Sequence, residues 1–174
     1  RCCMANNIYE NNNAGNIKYV NDGGIENVDY YLGKKGSGIK YKKFNSKAEG
    51  LKGILDVVYN YASTNVNDIM NKYAKDDKSG KAVDNYGNKL KETHNVVANL
   101  NYDNSGELEN FIRGITHWEN SANSQDYKKY YTDKDYEDAI KLFQEKRLLE
   151  RGTIDEQIKD SEMQGLNLDG WKLG

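Results

Sequence analysis

The chain has 174 residues, of which 37% are apolar, 11% aromatic and 30% charged, with a net charge of −2. That length suits one domain with a real core and is tight for two, and the near-neutral balance gives no general electrostatic case for nucleic acid. Aromatic and branched apolar residues recur at regular spacing, so the chain is polar without being disordered. The two cysteines, Cys2 and Cys3, are adjacent; a ring closed between neighbours strains the backbone, so no disulfide framework is expected. No apolar run is long enough to cross a membrane, and no signal peptide is visible. The chain begins with Arg1 rather than Met, so a segment of a longer polypeptide is expected, with Met4 as an alternative start.

The first distinctive stretch is Asn11-Asn12-Asn13-Ala14-Gly15-Asn16-Ile17. Asparagine amides bond nearby backbone groups and tolerate left-handed conformations, so the stretch predicts an ordered, turn-rich loop. Ile8 and Ile17 would anchor it. Such a loop is either a polar surface turn or one wall of a binding cleft.

Residues 18–44 are rich in Gly, Lys and Tyr. Gly23-Gly24 signals a turn. Val28, Tyr30 and Leu32 alternate as a strand does, Gly33, Gly36 and Gly38 make a second turn, and Ile39, Tyr41 and Phe44 return. The expectation is a small irregular β-hairpin or three-stranded sheet. Its lysines, Lys34, Lys35, Lys40, Lys42 and Lys43, read as a solvated basic face.

Helices dominate the rest. Ser46 with Glu49 fits a capping box, and Leu51, Ile54, Leu55, Val58 and Ala62 follow at helical spacing. A short helix is expected over 66–74, with Val66, Ile69, Met70 and Tyr73 inward, and a loop over 75–80. A helix over about 80–93 would bury Val83, Tyr86 and Leu90 and end near His94, where a histidine favours the negative end of the dipole. Asn104 and Glu107 open a helix whose stripe is Leu108, Phe111, Ile112, Ile115 and Trp118. It closes in His117-Trp118-Glu119-Asn120-Ser121, followed by a polar run over 122–125. Thr132 with Asp135 starts a further helix, with Tyr136, Ala139, Ile140, Phe143 and Leu148 or Leu149 inward. Gly152 is expected to stop it. Thr153 with Glu156 would start another, with Ile154, Ile158 and Met163 apolar, before an extended tail over 165–174.

The chemistry available is that of carboxylates. The chain has no zinc-ligand spacing, no phosphate-binding glycine loop and no nucleophile elbow. No metal or cofactor is expected. Glu119 is the candidate: it ends an apolar helix beside Trp118, where desolvation and the helix dipole both raise a carboxyl pKa. A raised pKa is what a general acid needs for glycoside cleavage. The bland alternative is a surface glutamate at a helix end.

Asn11–Ile17 resembles the Asn-Asn-Asn-Pro-Gly-Asn-Ile signature of a family of phage and prophage virion proteins grouped with lysozyme-like peptidoglycan hydrolases. Phe44-Asn45-Ser46 with Glu49-Gly50, the segment Val66–Ala74, the helix bearing Tyr86, and Trp118-Glu119-Asn120-Ser121 resemble the family's later landmarks in order, over about 10–122. Glu10 stands where the family has Arg, Ala14 replaces Pro, Ser121 replaces Gly, and His117 is one position early. The resemblance implies an α+β, predominantly α-helical, lysozyme-like domain over 1–131. Residues 132–174 would be a C-terminal helical extension packed on the domain or leaving it. It implies a virion-associated enzyme acting at the bacterial cell wall on peptidoglycan glycan strands, of lytic transglycosylase or lysozyme type. Glu119 would be the general acid, and Asn11, Asn13, Asn16, Tyr19 and Tyr41 would line the glycan cleft. For the lysozyme form, Asp22 and Asp126 are candidate second carboxylates. Other virion proteins, or the remainder of a longer polypeptide, are the further partners implied. The alternatives are a structural virion or tail protein that keeps the fold without activity, and a glycan-binding module.

Overall fold

A computed structural model describes residues 11–19, 29–33, 36–74, 85–120 and 126–172, the last eight by backbone alone. The Gly23-Gly24 turn, Val28, the 75–80 loop, Val83, Asp22, Glu10, Ser121 and the two cysteines lie outside them.

The architecture is predominantly helical with a small antiparallel sheet. β1 (Tyr30–Leu32) pairs with β2 (Lys40–Lys42), Tyr31 opposite Tyr41. Residues Ile17–Tyr19 run along the other edge of β2: Tyr19 N–H donates to the Lys40 carbonyl at 2.8 Å, and Lys42 N–H to that of Ile17 at 2.9 Å. The sheet therefore has β2 at its centre and ties the Asn-rich loop to the hairpin.

Helix α1 (Lys47–Tyr59) starts where its capping residues predict, with Ser46 Oγ accepting the Glu49 N–H at 3.1 Å. Leu51, Ile54, Leu55 and Val58 are fully buried. Ala62 departs from the expected stripe. The helix stops at Tyr59, tight turns follow at Tyr61 and Ala62, and Ala62 takes φ +54° at the surface. α2 (Val66–Tyr73) is capped by Asn65 and buries Val66, Ile69 and Met70. α3 (Tyr86–His94) packs on α2 and on α4 (Ser105–Asn120), which buries Leu108, Phe111, Ile112 and Ile115. A short α5 (Tyr127–Tyr130) precedes α6 (Asp133–Lys172).

The last helix corrects three expectations. Gly152 does not stop it, no second helix begins at Thr153, and the tail is helical to Lys172. A lone glycine costs a helix only about 1 kcal/mol. Strong helix formers, Leu148 to Arg151, precede this one, and Thr153 Oγ1 donates to the Leu149 carbonyl one turn back. The first half of α6 packs on α1 and α4 and buries Tyr136, Ala139, Ile140 and Phe143. Leu148 and Leu149 are exposed instead of inward, because the helix has by then run past the core.

Two close backbone approaches fix where the Asn-rich loop sits. A Cβ on Gly50 of α1 would lie 1.7 Å from the Asn12 carbonyl oxygen. One on Gly15 would strike the Tyr73 hydroxyl and the Ile54 side chain. The loop is thus pressed against the middle of the helical core.

Candidate functional site

Each asparagine of the loop has a separate task. Asn13 is fully buried; its Oδ1 accepts the Ile17 N–H at 2.8 Å, and its Nδ2 donates to the Ile17 carbonyl at 3.0 Å and to Tyr31 Oη at 3.3 Å. The side chain stands in for a neighbouring strand, the local amide–backbone bonding that asparagine favours in turns. Asn12, at φ +53°, donates to the Phe44 carbonyl at 3.1 Å and accepts from Tyr130 Oη at 2.6 Å. The Asn11 carbonyl accepts the Phe44 N–H at 2.9 Å, and its side chain is buried. Asn16 also takes a left-handed φ of +52°, and this turns its amide toward Glu119, with which it hydrogen-bonds.

Two further bonds fasten the loop to the helices around Glu119. Asn120 Nδ2 donates to the Ala14 carbonyl at 2.9 Å, and the Tyr73 hydroxyl donates to that of Gly15. Residues far apart in sequence therefore meet at the C-terminal end of α4.

Glu119 is half-buried there. The Tyr86 hydroxyl, at the start of α3, donates to Glu119 Oε1 at 3.0 Å. Burial pushes the carboxyl above the ordinary glutamate value. The hydrogen bonds from Tyr86 and Asn16 and the Lys18 charge pull the other way without reversing it. The phenols respond in kind: burial and the Glu119 carboxylate hold Tyr86 and Tyr73 far above an ordinary tyrosine, and Tyr41 is raised by the same two causes. Tyr86 is consequently a hydrogen-bond donor at every working pH.

Of the residues singled out in the sequence, Glu119, Asn16 and Tyr41 come together, and Asn11 and Asn13 face into the scaffold. Tyr19 lies at the hairpin, its ring 5.2 Å from that of Tyr30. Tyr41 stacks on Tyr31 at 5.6 Å. Asp126 is exposed at the start of α5, and among the described residues the charge acting on Glu119 is the Lys18 cation. No group of three or more His, Cys, Asp and Glu residues among the described residues is placed to hold a metal.

Sequence reasoning missed Tyr86 and Lys18 as members of this cluster. The signal for Tyr86 was its place on a core stripe: a buried phenol needs a partner for its hydroxyl. Lys18 carried no such signal.

Behind Glu119, the two histidines of the chain face each other. His94 and His117 have ring centroids 5.1 Å apart. Thr93 Oγ1 donates to the Lys89 carbonyl, accepts from Trp118 Nε1 and meets His94 Nδ1 at 2.8 Å, while the Tyr127 hydroxyl meets His117 Nδ1. With its single proton committed to Lys89, Thr93 accepts from His94, so neutral His94 carries its proton on Nδ1. Both rings have lowered pKa values, from burial and then from neighbouring positive groups.

No known family model matches the chain, and no curated protein matches it. Among the described residues, no helix is long and apolar enough to cross a membrane.

Proposed function

We propose that this domain cleaves the glycan strands of bacterial peptidoglycan, with Glu119 as general acid, in the manner of a lytic transglycosylase. The observation that carries the reading is a half-buried carboxyl of raised pKa, fixed by Tyr86 and facing an amide of the Asn-rich loop. A carboxyl whose pKa is raised by burial, beside a polar loop, suits proton donation to a glycosidic oxygen.

In the proposed reaction Glu119 protonates that oxygen and the bond to the sugar's anomeric carbon breaks. The 6-hydroxyl of the same sugar closes on the anomeric carbon, and Glu119, now a carboxylate, takes up the hydroxyl proton. A 1,6-anhydro end results and the acid is regenerated. One carboxylate suffices for these steps. Asn16 would bond an acetamido group of the substrate and Tyr41 would stack on a sugar face. Tyr19 would extend that wall, while Asn11 and Asn13 would hold the loop's shape. The enzyme would belong to a phage particle and act at the cell wall.

Glu119→Gln should abolish the turbidity loss of a purified peptidoglycan suspension; unchanged clearing by this variant would overturn the assignment. The second reading, a virion structural or tail protein that keeps the fold without activity, is favoured by Glu10 and Ser121 where the resembled family has Arg and Gly; a glycan-binding module is the remaining alternative. Binding to insoluble peptidoglycan with no product released would select the glycan-binding module.

A further inference from the structure

The histidine pair lies outside the glycan site. His117 and Glu119 are two residues apart on α4, about 200° around a helix, so they look out on different sides. His94 ends α3 and reaches α4 because Gly114, one turn before His117, has no side chain. A Cβ there would lie 2.7 Å from Leu90 Cδ2 and 3.4 Å from His94 Cγ. Both rings are half-buried, so solvent reaches them. The pair is drawn from two helices, so no local spacing in the sequence announces it.

The ring nitrogens fall into two sets. Nδ1 of His94 donates to Thr93 Oγ1 at 2.8 Å, and Nδ1 of His117 meets the Tyr127 hydroxyl. Thr93 is held in turn by the Lys89 carbonyl and the Trp118 indole. Among the described residues, no hydrogen bond engages Nε2 of either ring. An imidazole tied at Nδ1 in this way is fixed in orientation and presents its lone pair at Nε2, as metal-binding histidines do. An ion bonded to two imidazole nitrogens at about 2.1 Å, with a tetrahedral angle between them, sets the ring centres about 5 Å apart. Here the centres are 5.1 Å apart and the rings are tilted by 47°.

We infer that His94 and His117 bind one divalent transition-metal ion through Nε2 of each ring, with water completing the coordination. Tyr127 then accepts from His117 Nδ1, and the ion ties the end of α3 to α4. The cations nearby are Arg113, Lys128 and Lys89. Arg113 is paired with Asp133 at 2.8 Å and Glu109 at 3.4 Å, while Lys128 and Lys89 stand exposed, where salt screens them. Calcium and magnesium need oxygen ligands, which the two rings do not supply. Imidazole suits copper, nickel and zinc, and copper(II) binds tightest of these.

Titration of Cu2+ into the full, untagged chain carrying Cys2→Ser and Cys3→Ser, which removes the thiols, tests the site. One equivalent should bind saturably and quench the emission of Trp118, whose ring lies 5.2 Å from that of His117. The chain has two histidines, so electron spin resonance should find two imidazole nitrogens on the copper in a complex of single-chain mass. His94→Gln and His117→Gln should each weaken binding about 10–100-fold or more, since losing a ligand costs at least what losing an outer partner does. The nitrogen count needs no histidine variant, so it decides the question even where a variant fails to fold. No saturable binding, fewer than two imidazole nitrogens, or unchanged affinity in either folded variant overturns the inference.

Discussion

Removing a single hydroxyl isolates what Tyr86 does to Glu119. Tyr86→Phe takes away a donor to the carboxylate while leaving the ring to fill its place, so the carboxyl pKa rises further. Activity that needs protonated Glu119 falls as pH rises through that pKa, so the alkaline limb of the pH–rate profile should move to higher pH in the variant. An unmoved limb would mean that Tyr86 does not act on the acid.

The same carboxyl makes a stability prediction. Its folded pKa lies above its unfolded value of about 4.3, so the native state holds the proton more tightly. Its favourable contribution is complete below the unfolded pKa and is lost as pH rises through the folded one. Glu119→Gln, which cannot ionise, should therefore unfold at a higher temperature than wild type at pH 7 and lose that advantage at pH 4. The histidine pair has the opposite sign. Both folded pKa values lie below the unfolded value of about 6.5, so their contribution is present above that value and is lost as pH falls toward the folded values. His94→Gln/His117→Gln should flatten the fall in melting temperature between pH 7.5 and 5, as followed by circular dichroism.

At the scale of elements, the helix starts were legible because capping is local chemistry. Ser46 with Glu49, Asn104 with Glu107, and Thr132 with Asp135 each bond as their spacing predicts; in the last pair each partner's side chain accepts the other's backbone N–H. The continuation of the helix through Gly152 was not legible, because a glycine stops a helix only when its neighbours supply a left-handed cap, and here they continue the helix. The strands around Tyr31 and Tyr41 followed from alternation. The third edge at Ile17–Tyr19 did not, because it depends on where the Asn-rich loop docks. That docking rests on Gly50, whose missing side chain admits the Asn12 carbonyl. Gly50→Ala would gain about 1 kcal/mol of helix propensity but must displace the loop backbone. A net loss of about 3 kcal/mol is expected, which for a domain of this size lowers the melting temperature by roughly 6–12 °C. A melting temperature equal to or above wild type would contradict the docking.

At the scale of the molecule, the site exists because three distant segments converge. The loop at 11–18, the start of α3 and the end of α4 meet only when α1 and α4 pack around the shared core. The residues themselves identified Glu119 and the loop separately, from a helix end next to tryptophan and from a run of asparagines, and the family resemblance implied that both line one cleft. Their meeting through Asn16, and the presence of Tyr86 and Lys18, came from tertiary packing that no local pattern encodes. Asn13 illustrates the limit: the family resemblance implied a sugar contact, but its amide is consumed inside the loop by Ile17 and Tyr31.

The most direct test of the central claim is mass spectrometry of the fragments released from purified peptidoglycan by the wild-type chain and by Glu119→Gln. The wild type should release 1,6-anhydro-terminated muropeptides and the variant none. Release of no fragments by the wild type, or the same anhydro products from both proteins, would contradict it.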